Sequence, residues 1–133
     1  MSLVPALFGY QGRLSRRDYW RVTWQLNWAF ALVFPGFVGL SSAALHRFDG
    51  EAIFEAVRVA SFAFAGIFAA SFFWIASAMA AKRCHDRGLS GGWVTLFLLP
   101  YAGGLIFFGW IGARRGMAGA NVFGPDPFAQ PEQ

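Results

Sequence analysis

The sequence predicts an all-α integral membrane protein, a helical bundle of about three transmembrane helices with the third kinked or re-entrant. Three observations carry this expectation. Only 14% of the 133 residues are charged, against 56% hydrophobic, whereas a soluble domain carries about 25% charged residues to wet its surface. The 11 basic and 7 acidic residues all lie outside three uncharged windows, Val22–Leu45, Val59–Ala81 and Gly92–Ala113. Crossing roughly 30 Å of hydrocarbon takes about 20 apolar residues at 1.5 Å rise each. Each window is long enough, and the chain left over is too short for a soluble domain. The whole chain therefore reads as a single membrane domain.

Residues 1–14 form an interfacial lead-in, in which Leu3, Val4, Leu7, Phe8, Tyr10 and Leu14 are interrupted by Gly and Pro. The first helix is expected over 15–45. Ser15 with Asp18 three residues later has capping-box spacing, with Asp standing where Glu or Gln is preferred. Trp20, Trp24 and Trp28 recur every four residues and share a face. Tyr19, Trp20, Trp24 and Trp93 are the expected lipid-interface anchors, since amphipathic rings suit the headgroup level. Pro35-Gly36 falls inside the window and predicts a kink, which a bundle tolerates.

A polar link from His46 to Gly50 leads to a second helix over 52–84, where Glu55 and Arg58 have the spacing of an ion pair. Ala65 with Ala69, and Gly66 with Ala70, have the small-xxx-small spacing that lets helix backbones approach in lipid. The third helix, 92–113, is interrupted by Leu99-Pro100-Tyr101-Ala102-Gly103-Gly104. A kinked span is the preferred reading. A re-entrant hairpin is the alternative, allowed where protein buries the freed backbone groups. Residues 114–133 form a polar tail.

The net charge of +4 and pI near 10 do not point to nucleic acid, because the basic residues sit at the ends of apolar windows rather than on a soluble face. Anionic lipid headgroups are the nearer partner. Short cytoplasmic loops are rich in Lys and Arg. With three spans, one side holds Arg13, Arg16, Arg17, Arg21, Lys82, Arg83 and Arg87, and the other holds Arg47, Arg58, Arg114 and Arg115. This places the N-terminus in the cytoplasm. A hairpin would move Arg114 and Arg115 to the cytoplasmic set as well. Arg16-Arg17 before an apolar run is similar to a twin-arginine export signal, but the run far exceeds the roughly 7 to 15 residues of a signal core.

The richest polar cluster is Lys82-Arg83-Cys84-His85-Asp86-Arg87. No metal site is expected, because adjacent helical residues diverge and the chain has no second Cys. No haem is expected, because the second apolar helix holds His46 and His85 roughly 35 Å apart. Cys84 and Ser90 have no separate group to orient a base, so no catalytic residue is assigned. Basic groups at a helix end with Gly88 as a stop have a plain structural reading through the helix dipole. The functional alternative is a polar site in which Arg13, Arg16, Arg83, His85 and Asp86 meet at one membrane face.

Four motifs stand in order along the chain: Gly12-Arg13-Leu14-Ser15-Arg16 with Tyr19-Trp20; Lys82-Arg83-Cys84-His85-Asp86 with Ser90-Gly91 and Trp93; Pro100; and Gly119-Ala120-Asn121-Val122-Phe123-Gly124-Pro125-Asp126-Pro127. Together they resemble the YhaH-like small inner-membrane proteins of bacteria, the family labelled domain of unknown function 805. The resemblance implies a multi-pass protein of the bacterial inner membrane without an established activity or cofactor. It adds Ser90, Asn121 and Asp126 to the candidate polar site. It also keeps the hairpin open as the alternative, since a spanning third helix would put the closing motif on the opposite side from the others.

The expected role is a non-enzymatic accessory or lipid/protein interaction module, with membrane lipids and a second copy or another membrane protein as partners. The alternative is a small transporter or pore formed by self-association, since broken helices often line membrane sites. Against it, no window contains a charge of the kind that marks ion routes.

Overall fold

The computed structural model describes residues 8–47, 50–99 and 102–128. The lead-in residues Leu3, Val4 and Leu7 and the breaker Pro100 with Tyr101 lie outside them. The protein is an all-α membrane bundle, built on two long apolar helices and a shorter, irregular third segment. Among the described residues the only extended pairing is an isolated bridge between Asn121 and Gly124.

Helix α1 (Arg16–Arg47) starts where the cap predicts. The Ser15 hydroxyl accepts from the Asp18 N–H at 3.1 Å and donates to Asp18 Oδ2 at 2.7 Å. Asp18 is too short to reach back to the Ser15 backbone as a Glu would, so its carboxylate takes the hydroxyl proton instead. The helix continues through Pro35 as one element. Helix α2 (Glu51–Asp86) carries the expected Arg58–Glu55 pair at 2.5 Å on its surface. At 1.5 Å per residue the two helices are about 48 and 54 Å long, more than the hydrocarbon core requires.

The chain forms two compact units. One, Trp24–Phe73, holds the apolar parts of α1 and α2. Its helices meet through phenylalanines: Phe30 lies 5.7 Å from Phe68 and 4.6 Å from Phe72, and Phe37 lies 4.1 Å from Phe64. The small-residue ridge plays no such part. A Cβ on Gly66 would meet nothing within 4 Å, and Ala69 and Ala70 are exposed. Bulky rings hold the backbones too far apart for a ridge contact. Leu32, Leu40, Phe62 and Ile67 are each about 70% exposed, an apolar surface suited to lipid rather than water. Ser41 and Ser71 return their hydroxyls to the carbonyls of Phe37 and Ile67, four residues back, and so need no water.

The second unit, Met1–Thr23 with Trp74–Gln133, holds the polar end of the helices and the third segment. Helix α2 stops at Gly88, whose φ of +70° only glycine adopts at low cost. Ser90 then caps a 3₁₀-helical stretch, Gly91–Leu98, its hydroxyl accepting from the Gly92 N–H at 3.1 Å. Eight residues of 3₁₀-helix advance only about 16 Å, half the hydrocarbon thickness. The chain resumes as α3 (Ala102–Leu105) and widens into π-helical turns over Ile106–Gly112.

Both ends of this segment lie against the same part of the molecule. Gly91 abuts His85 and Ala81, while Gly112 abuts Tyr19 and Trp20. Beyond it, the Met117 N–H donates to the Asp86 carbonyl at 2.8 Å. Val94 and Leu96 of the outgoing limb and Ile106, Phe107 and Ile111 of the returning limb share one apolar cluster with Ala80 and Cys84 of α2. The hairpin, not the straight span preferred from composition, is therefore the form of the third segment.

Candidate functional site

The hairpin brings the N-terminal lead-in, the end of α2 and the tail together at the start of α1. Asp86 is at the centre, and its side chain is 2% exposed. Arg13 reaches its Oδ1 through Nε at 3.1 Å and Nη2 at 3.0 Å. Arg83, one helical turn earlier on α2, donates to Oδ2 through Nη1. The two guanidinium side chains are 1% and 0% exposed. One buried carboxylate thus serves two buried cations, and charges so far from water persist only when paired and hydrogen-bonded.

Backbone carbonyls absorb the excess positive charge. Arg13 donates to Met117 and Gly119 at 2.5 Å each, and more weakly to Gly124 at 3.5 Å. Arg83 donates to Leu14 at 3.4 Å and to Arg114. Arg83 Nε has no acceptor among the described residues. Five carbonyls from the lead-in and the tail are gathered on two side chains. The triad therefore works as a clasp across segments up to 111 residues apart in sequence.

Gly116 shows how tightly the clasp closes. A Cβ there would overlap the Asp86 carboxylate, so the tail passes directly over the ion pairs. His85 projects beside it. Its Nδ1 lies 3.1 Å from the Gly12 carbonyl, and a carbonyl only accepts, so Nδ1 carries the proton. The ring stacks on Phe123 at 4.1 Å and 4°. Asn121 donates from Nδ2 to the His85 carbonyl at 2.9 Å and accepts from the Phe123 N–H. His85 and Asp86 form no acid–base dyad, since the carboxylate is taken by arginines and the imidazole by a carbonyl.

Arg16 donates to the Ala113 carbonyl at 3.2 Å. Asp126 accepts from the Gly119 N–H at 2.8 Å and the Phe128 N–H at 2.9 Å, and so meets Arg13 across one residue. Ser90 stays outside the cluster and caps the 3₁₀ stretch. Tyr19 is not an interface anchor: it is 3% exposed, packed against Trp20 beside Gly112. Trp20 donates to the Gly112 carbonyl at 3.2 Å, while Trp24 and Trp93 are exposed.

Sequence reasoning missed several participants. Arg87 lies 4.8 Å over the Trp110 ring and donates to its carbonyl at 2.9 Å. The Tyr10 hydroxyl lies 2.6 Å from that of Ser77. Gly116 and Met117 stand in what the sequence reads as a polar tail. Tertiary paths, of the lead-in for Tyr10 and of the hairpin for the others, bring these groups together, and no spacing announces them.

The backbone donors on Asp126, Phe128 first and then Gly119, hold its carboxyl below the usual carboxylate range. A depressed folded value means that the ionised group stabilises the tail above that range and releases it as pH falls through the lowered value. The Gly119 and Phe128 amides should be protected from exchange near neutral pH, relative to an unstructured chain at the same pH, and should lose that protection together under acid. Protection independent of this titration would contradict the assignment.

Beside the clasp opens a cleft of about 390 Å³ lined by Arg16, Arg17, Asp86, Arg115, Asp126 and Phe128, among others. No group of His, Cys, Asp and Glu suited to a metal occurs among the described residues.

Residues 7–125 match the family described as "Protein of unknown function (DUF805)". The chain is 31% identical to "Inner membrane protein YhaH" of Escherichia coli K12, covering 98% of this chain and 97% of that one. It is 27% identical to "Inner membrane protein YhaI", over 96% and 92%. It is 31% identical to "Uncharacterized protein YiiR", over 76% of this chain and 57% of that protein. No solved structure matches. With the helical bundle, the match over almost the whole length makes this chain a member of the DUF805 family of membrane proteins.

Proposed function

We propose that this protein is a non-enzymatic interaction module of the bacterial inner membrane, crossing the bilayer twice with a re-entrant third segment. Its N-terminus and tail both face the cytoplasm, and its basic face binds anionic lipid. One observation carries the reading: the Arg13–Asp86–Arg83 triad is consumed internally, while Arg17 and Arg115 are exposed at the cleft and have no hydrogen bond or ion pair among the described residues. Groups poised for acid–base chemistry need a free lone pair or proton and access to substrate. Here the buried charges are used to hold segments together, and the free cations lie outward.

The basic residues of the lead-in, α2 end and tail then share one face, which satisfies the bias that orients membrane proteins. Each such residue near an anionic surface adds about 1 kcal/mol of attraction. The full chain, extracted from its native membrane with mild detergent, should retain anionic phospholipid. Isolation as a lone, lipid-free monomer contradicts the proposal.

A further inference from the structure

We infer that the cleft beside the clasp is a discrete site for one phosphate group, that of an anionic phospholipid headgroup. This rests on the proposal that the basic face meets lipid, and sharpens it from general attraction to a stoichiometric site.

Three arginines, Arg16, Arg17 and Arg115, line its walls. Arg16 spends one N–H on the Ala113 carbonyl. Arg17 and Arg115 are exposed and make no ion pair with any described residue. Cations brought together around a concavity repel one another, and without an anion nothing offsets that cost. Two carboxylates also line the cleft and offset only part of this charge. Asp86 is shared by Arg13 and Arg83, and Asp126, held by two backbone N–H groups, supplies one negative charge. Counting the clasp, five arginines stand against two aspartates around the cleft. The local field favours an anion.

Shape narrows the class. A volume of about 390 Å³ lies at the lower end of small-ligand sites, which run about 300 to 1,000 Å³. It suits a headgroup better than a metabolite with large rings. The planar fork of arginine matches the paired oxygens of a phosphate, and three forks suit a group with several oxygens. Arg16 and Arg17 are also the first residues of α1, where the helix dipole adds to the attraction. Phosphate could come from solution or from a lipid. The lipid is favoured by position: the uncharged window of α1 begins at Val22, about a turn beyond Arg17, and Phe128 contributes an apolar wall. A headgroup bound there has its glycerol end close to where acyl chains begin.

The test uses the purified full chain in detergent, titrated with phosphatidylglycerol and read by native mass spectrometry. Phosphatidylcholine and inorganic phosphate serve as the other ligand arms. Three proteins are compared: the unaltered chain, R17Q/R115Q, and R47Q/R114Q, which removes two exposed charges not found on the cleft wall. Arg17 and Arg115 have no partner among the described residues, so R17Q/R115Q should fold, and its helical circular dichroism should match the unaltered chain.

One equivalent of phosphatidylglycerol should bind the unaltered chain and R47Q/R114Q. R17Q/R115Q should bind roughly thirty-fold more weakly, the effect of two surface cations. Phosphatidylcholine should bind no protein in this way. Inorganic phosphate that excludes the lipid, with the same dependence on Arg17 and Arg115, supports the phosphate site and makes its source soluble. Equal lipid retention by all three proteins overturns the cleft while leaving the lipid-binding proposal standing. An unaltered chain that holds neither lipid nor phosphate overturns both.

Discussion

Replacing Asp86 with asparagine should destabilise the protein by about 3 to 5 kcal/mol, the usual cost of leaving a buried charge without its counterion. The amide preserves volume and one acceptor oxygen but removes the charge that Arg13 and Arg83 share. Both guanidinium groups are almost wholly enclosed by protein, so water cannot replace the carboxylate without opening the fold. The melting temperature of the detergent-solubilised chain should fall steeply, and the tail should become protease-sensitive. Arg13→Lys should move in the same direction by less. An ammonium keeps the charge but cannot hold Asp86 and the carbonyls of Met117 and Gly119 with one planar group. An unchanged melting temperature in Asp86→Asn would show that the triad holds nothing together.

Gly116→Ala should cost about 1 to 3 kcal/mol, the range for forcing atoms into a filled site. The added methyl falls on the Asp86 carboxylate. That carboxylate cannot swing aside without releasing two arginines, so the tail must lift instead. Lifting also breaks the hydrogen bond from the Met117 N–H to the Asp86 carbonyl. The effect should shrink in an Asp86→Ala background, where the group that the methyl strikes is gone. A double-mutant cycle on thermal stability measures this coupling. Strict additivity would separate Gly116 from the clasp.

The long helices were legible because their cause is local. Uncharged runs over 20 residues and a Ser15 cap depend on neighbours in sequence, and α1 and α2 appear within about two residues of the expected bounds. The meeting of Arg13, Arg83, His85 and Asp86 at one end was also within reach, because orientation alone puts those segments on one side. The pairing itself was not. Arg13 and Asp86 are 73 residues apart, and composition does not distinguish a cation that faces lipid headgroups from one that closes a buried triad.

The third segment was the least readable. An apolar run of 22 residues is long enough to span, and only the breaker around Pro100 and the position of the closing motif favoured a return. Its path is settled by tertiary contacts: Phe107 and Ile111 pack on Ala80 and Cys84, and Arg83 takes the Arg114 carbonyl. Tyr19 misled for a related reason. A ring at a helix start suits the headgroup level, but here the returning hairpin places Gly112 against it and covers it. The phenylalanine contacts between α1 and α2 likewise depend on which faces meet, and the small-residue ridge carried a recognisable spacing without being used.

The return of the third segment to its starting face is the claim on which the clasp, the cleft and the shared basic face all depend. It is tested most directly by single cysteines in a Cys84→Ala background. Gln11→Cys, Val122→Cys and Arg47→Cys each put a thiol at an exposed position, and a membrane-impermeant maleimide is applied to sealed vesicles of both orientations. Gln11→Cys and Val122→Cys should react from the same side, and Arg47→Cys from the other. Labelling of Val122→Cys from the side of Arg47→Cys would contradict the hairpin and dismantle the site built on it.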